Sequence, residues 1–112
     1  MARIKKRAYS RYTRHAVHLL GMLIRTGRIE RKITTRELAE RAGISRDLLY
    51  RIENGDPRVS LGAAFEAAAI VGVPLFAPDA ASLDVHSRHA AEKLTLLPKA
   101  VRKRQTDVKD DF

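Results

Sequence analysis

Between positions 46 and 51 the chain reads Arg-Asp-Leu-Leu-Tyr-Arg. If that stretch is helical, Leu49 and Ile52 share an inward face, Arg46, Asp47 and Arg51 an outward one, and Tyr50 lies at its flank. A guanidinium is a planar fork whose parallel N–H groups match the O6 and N7 acceptors of guanine in a major groove, a contact worth about 1–3 kcal/mol of discrimination. Arg46 and Arg51 are therefore the candidate base-reading residues. Asp47 either accepts from a cytosine N4 or orients one of the arginines, and both roles stay open. On an ordinary exposed helix the same residues would simply be solvated, so the surrounding elements must decide.

Composition narrows the choice of partner. Lys and Arg number 22 against 13 Asp and Glu, a formal charge of +9, and such a balance points to an anionic partner, either nucleic acid or an acidic membrane surface. The 112 residues include no cysteine, which excludes disulfides and thiolate metal sites and suits a reducing cytoplasm. No apolar run approaches the roughly 20 residues needed to span a bilayer, and the N-terminal charges are not followed by the apolar stretch of a signal peptide. A cytoplasmic protein without a membrane segment is the expectation. His15 with His18, and His86 with His89, have i, i+3 spacing but no carboxylates arranged to complete a metal site. No Gly-rich phosphate loop, nucleophile elbow or usefully spaced acid pair appears. Neither a cofactor nor catalysis is expected.

Ala and Leu are abundant, aromatics are few and Trp is absent, which favours helices over sheet. Residues 1–11 form a basic arm carrying Arg3, Lys5, Lys6, Arg7 and Arg11, which could follow a DNA backbone or minor groove or merely solubilise the chain. Residues 12–76 carry helical periodicity with defined stops. A first helix over residues 12–28 would turn Tyr12, Ala16, Leu19, Leu20, Leu23 and Ile24 to one apolar face. Thr34 and Glu37 have capping-box spacing and open a short second helix with Leu38, Ala39 and Ala42 inward, which Gly43 ends. Ser45 caps a third helix over Arg46–Glu53, stopped by Asn54-Gly55. Ser60 caps a fourth, which runs to Val71. Residues 77–97 hold one more helix, opened by Pro78-Asp79 and striped by Leu83, Ala90, Leu94 and Leu97. Residues 98–112 form a charged tail expected to be flexible on its own.

Two short helices joined by Gly-Ile-Ser, with small Ala39 at their crossing, make a helix-turn-helix that projects the second helix's polar face toward a major groove. Residues 19–76 resemble the Xre (Cro/CI-type) helix-turn-helix domain. The likeness is carried by residues 34–55, with Leu38-Ala39, Gly43, Ser45, Ile52-Glu53 and Asn54-Gly55 at family positions. It implies an all-α, lambda-repressor-like bundle of four to five helices, binding to double-stranded DNA, and a pairing of Arg28 with Glu53 that ties the first helix to the third. Two departures stand out. Thr35 occupies a position where the family often has a phosphate-binding Gln, and Leu48 and Tyr50 stand where small or polar residues are common, which makes the readout more apolar. Donors at helix N-termini and in the loop after the third helix make Thr35, Arg36, Ser45, Asn54 and Arg58 the candidate phosphate contacts.

The fourth helix is apolar nearly all round, more than a small domain can bury alone. A twofold homodimer through Phe65, Ile70, Val73 and Phe76 would cover it and suit a palindromic operator; a contact with the fifth helix is the alternative. In the C-terminal third, the Leu-Leu-Pro-Lys-x-Val-Arg-Lys stretch and the Asp-Asp-Phe end look like HipB-type antitoxins. That likeness implies a dimeric repressor that autoregulates its operon and neutralises a HipA-like kinase toxin. A stand-alone Xre-family repressor without a toxin partner is the alternative, and a DNA-binding subunit that only scaffolds an enzyme complex is a third reading.

Overall fold

The computed structural model describes residues 8–103, and every regular element among them is helical. In chain order these are α1 (Arg11–Glu30), α2 (Thr35–Ala42), α3 (Arg46–Glu53), α4 (Leu61–Ile70) and α5 (Ala80–Leu96). The described residues fall into two units, one ending at Leu75 and the other beginning at Phe76.

Each helix starts where a short polar side chain satisfies an orphan backbone N–H. Ser10, Thr34, Ser45, Ser60 and Asp79 accept from the N–H groups of Thr13, Glu37, Leu48, Ala63 and Ser82 respectively. Such a cap is worth about 1 kcal/mol. At α2 the exchange is reciprocal: Glu37 N–H donates to Thr34 Oγ1 at 3.0 Å, and Thr34 N–H donates to Glu37 Oε1 at 2.9 Å. The backbone donor and the hydroxyl of Thr34 hold the Glu37 carboxyl below its ordinary pKa. Gly43 ends α2 with φ +70°, a left-handed conformation in which any Cβ is disfavoured. That residue lets the chain reverse within Gly43-Ile44-Ser45 and enter α3.

In the first unit α2 packs on α3 and α4, and α1 lies across α3 and α4. The core is Ile24, Ile33, Leu38, Ala39, Leu49, Ile52, Ala64, Ala67, Ala68 and Val71. Ala39, Ala67 and Ala68 keep helix backbones close, while Ile24, Leu38, Leu49 and Val71 fill the space between them.

The inward face of α1 differs from the one the leucines suggest. Its buried residues are Gly21, Ile24 and Gly27, whereas Tyr12, Leu19 and Leu23 are exposed, Tyr12 at 84%. The reason is close approach. A Cβ at Gly21 would lie 2.5 Å from the Ile52 carbonyl oxygen and 2.8 Å from that of Glu53, and one at Gly27 would lie 2.8 Å from the Val71 carbonyl oxygen. The helix therefore docks through its small residues together with Ile24 and Leu20, and Tyr12, Leu19 and Leu23 turn outward.

Helix α4 buries Ala64, Ala67 and Ala68 in this unit, and Ile70 and Val73 pack partly against the same core. Much of its apolar surface is thus absorbed within the unit itself, while Leu61 stays exposed. In the second unit, α5 has no buried residue. An i, i+4 ion pair, Arg88 Nε–Asp84 Oδ2 at 3.4 Å, lies on its surface, and Leu83, Leu94 and Leu97 are exposed.

Candidate nucleic-acid interface

Helix α3 is only eight residues long, so its direction must be set by what lies beneath it. Leu49 and Ile52 are buried under the helix, and Gly21 lets α1 touch its C-terminal carbonyls. Arg28 completes the anchor. Its Nε donates to Glu53 Oε2 at 2.7 Å, Nη2 to Glu53 Oε1 at 3.1 Å and Nη1 to the Ile33 carbonyl at 3.2 Å. The two side chains are only 12% and 6% exposed, so this is a shielded, bidentate pair with every available carboxylate oxygen engaged.

With its inner face fixed in this way, α3 turns Arg46, Asp47 and Tyr50 to solvent. Tyr50 is 66% exposed, a large flat group on an otherwise polar surface. The Arg46 side chain makes no hydrogen bond or ion pair with another described residue, and its guanidinium is available at the N-terminal end of α3. Arg51 is half-buried and held on two sides: its Nε meets Asp56 Oδ2 at 3.1 Å, while its Nη1 lies 3.9 Å from Asp47 Oδ2. Asp47 is thus placed beside Arg51, beyond hydrogen-bond reach.

The candidate phosphate contacts divide into two groups. Thr35 and Arg36 are exposed in the first turn of α2. Ser45 Oγ accepts from Leu48 N–H at 3.0 Å and keeps its own hydroxyl proton to donate. Asn54 and Arg58 are already engaged within the chain. Asn54 Nδ2 donates to the Tyr50 carbonyl at 2.7 Å, covering the C-terminal end of α3. Arg58 Nε and its backbone N–H both reach Asp56 Oδ1, at 3.2 and 2.9 Å. Asp56, which the sequence did not single out, therefore sits between Arg51 and Arg58. The Arg58 backbone N–H, then its guanidinium, and then Arg51 draw the Asp56 carboxyl down to about 2 from its ordinary 3.8.

Arg3, Lys5, Lys6 and Arg7 of the basic arm lie outside the described residues. Arg11 opens α1, and His18, two turns on, packs against Gly55 in the loop after α3. The N-terminal half of α1 therefore flanks the same loop as Arg58.

The surface that results is a short helix, pinned from beneath and crossed by a second short helix through a left-handed glycine turn, with arginines facing out. A family model described as a helix-turn-helix domain matches residues 19–78, just over half of the chain. The chain belongs to this helix-turn-helix family. No curated protein and no solved structure matches it. Membership makes it a DNA-binding protein. Within the helix-turn-helix domain α2 and α3 are the paired helices, and α1 and α4 pack behind them. No helix among the described residues is long and apolar enough to cross a membrane.

Two parts of the interface have no signal in local spacing. The glycines of α1 are marked only by being glycines inside a good helix, a pattern that often reports close backbone approach. Asp56 is marked only by lying between Asn54-Gly55 and Pro57-Arg58, where a turn was to be expected but its path was not.

Proposed function

We propose that this protein is a sequence-specific transcriptional repressor of the Xre class that binds a palindromic operator as a homodimer. The observation that carries the reading is the outward presentation of Arg46 and Tyr50, with Arg51 half-exposed beside them, on a helix locked by the Arg28–Glu53 pair. Arg46 and Arg51 would read guanines; Tyr50 would supply an apolar contact such as one to a thymine methyl. Thr35, Arg36 and Ser45 would bind phosphates, joined by the remaining donors of Asn54 and Arg58. Leu61 and Phe65, one turn apart on α4, would contribute apolar surface to the second copy. A cytoplasmic location follows from that role.

We further propose that the chain is the antitoxin of a HipA-like kinase toxin, repressing its own operon and holding the toxin inactive. Support comes from the sequence of residues 96–103 and of the Asp-Asp-Phe end, together with a second unit whose helix buries none of its own residues. Arg104 to Phe112 lie outside the described residues. Truncation after Leu97 should leave operator binding nearly intact and weaken binding to a HipA-like toxin encoded beside this gene, measured by calorimetry. If the two forms bind that toxin equally, the tail is not the contact. If neither binds, the antitoxin role fails and a stand-alone repressor takes its place.

A further inference from the structure

Asp56 lies in the turn after α3, and its carboxylate is only 14% exposed although it belongs to a surface loop. What shields it is a pair of arginines. Oδ2 accepts from Arg51 Nε at 3.1 Å and from Arg58 Nη2 at 3.5 Å, and Oδ1 accepts from Arg58 Nε at 3.2 Å and Arg58 N–H at 2.9 Å. One carboxylate thus joins a side chain of the groove-facing helix to a side chain of the loop that follows it.

The consequence for Arg51 is geometric. A guanidinium can present a side-on edge, Nε with one Nη, or an end-on edge made of both Nη groups. Asp56 occupies Nε, which removes the side-on edge from any external contact. The end-on edge remains, since Asp47 at 3.9 Å from Nη1 is too distant to hold it by a hydrogen bond. Two parallel N–H groups match guanine O6 and N7, and with Nε taken by Asp56 the end-on pair is the one left to supply them. A long side chain left half-exposed would otherwise sample many rotamers, and each lost on binding lowers affinity.

We propose that Asp56 is a specificity-determining positioning residue: it turns the end-on edge of Arg51 outward to a guanine and fixes Arg58, through the same carboxylate, at a set distance along the backbone. The inference rests on Arg51 being a base reader. Asp56 itself does not touch DNA. Its effect is to make the choice of one base pair depend on the register of a phosphate contact.

Asp56→Asn separates this role from a merely structural one. An amide oxygen still accepts the Arg58 backbone N–H and keeps the turn, whereas an amide nitrogen facing Arg51 Nε sets donor against donor. The wild-type protein is first used to select sites from randomised duplexes, and each base pair is then substituted in turn for both proteins. The expected result is a fold retained at neutral pH, with a lowered thermal midpoint because the depressed carboxyl's contribution is gone, and a loss of about tenfold or more in discrimination at one guanine per half-site, with other positions unaffected. Removing the negative charge should also raise affinity for all duplexes alike, and that uniform change is read apart from the discrimination. In an Arg51→Ala background Asp56→Asn should have no effect at that base pair. Asp56→Glu, which keeps the charge but shifts the carboxylate by a methylene, should lose the same guanine, and it tests the idea even if the Asn variant fails to fold. An unaltered selection profile in these variants would overturn the proposal. So would improved discrimination in Asp56→Asn, because Asp56 would then be holding Arg51 away from the base. If the wild-type protein selects no sequence at all, it is the base-reading role of α3 that fails, a different outcome from either.

Discussion

Arg28 and Glu53 stand 25 residues apart in sequence and meet through two hydrogen bonds at 2.7 and 3.1 Å in the interior between α1 and α3. The third N–H bond, to the Ile33 carbonyl, extends the clamp to the segment before α2. Removing either partner leaves a buried charge without compensation, which costs about 3–5 kcal/mol. Arg28→Ala should therefore lower the urea midpoint severely, whereas Arg28→Met combined with Glu53→Leu should recover much of the loss by replacing the pair with apolar volume. A single variant as stable as the wild type in urea denaturation would show that the pair does not hold α3.

Gly21 makes a second, independent prediction about the same junction. Its missing Cβ is what lets α1 lie against the carbonyls of Ile52 and Glu53. Gly21→Ala gains helix propensity worth about 1 kcal/mol, but it drives a methyl group into backbone that cannot rotate away. Overpacking of this kind costs about 1–3 kcal/mol, so the substitution should destabilise despite the better helix former. Thermal denaturation decides it: a raised midpoint would mean that α1 and α3 can separate at no cost.

Some of this architecture was legible in the sequence because it is local. Thr34 and Glu37 define a helix start within four residues, and the Gly43 turn and the Ser45 cap follow at once, so α2 and α3 could be placed on chemistry alone. Arg28 and Glu53 could be joined only through family resemblance, because nothing in their spacing reports a contact across 25 positions. The face of α1 was misread for a physical reason. Apolar periodicity counts side chains, while the docking of α1 depends on where side chains are missing. Asp56 was invisible for another: its partners are fixed by the path of a turn, which composition does not determine.

Acid should act through the depressed carboxyls. Asp56 is drawn down to about 2, chiefly by the Arg58 backbone N–H, and Glu37 and Asp79 are lowered by the backbone and side-chain donors of Thr34 and Ser82. A carboxyl whose folded-state pKa is depressed adds stability above its unfolded value and loses it as pH falls through the folded one. Stability should thus hold at neutral pH and decline between about pH 4 and pH 2, with a smaller decline in Asp56→Asn. Urea midpoints measured across that range would contradict the assignment if they rose on acidification.

Dimerisation is tested best where the core is not disturbed. Ile70 and Val73 contribute to the domain's own interior, so charged residues there would confuse folding with assembly. Leu61 is exposed on α4, and Leu61→Glu should weaken self-association and operator binding together while leaving the melting temperature nearly unchanged. Analytical ultracentrifugation at micromolar concentration reads the outcome, and a wild-type protein that sediments as a monomer would count against a homodimer.

On the proposed function, α3 reads DNA sequence through Arg46 and Arg51. The most direct test compares Arg46→Ala and Arg51→Ala with the wild type on the selected site and on random duplex, at one fixed salt concentration because affinity is salt-dependent. Each variant should lose about 1–3 kcal/mol on the selected site, relax preference at one base pair per half-site, and bind random duplex almost as before. Equal losses on both duplexes would make the two arginines phosphate contacts and contradict the account.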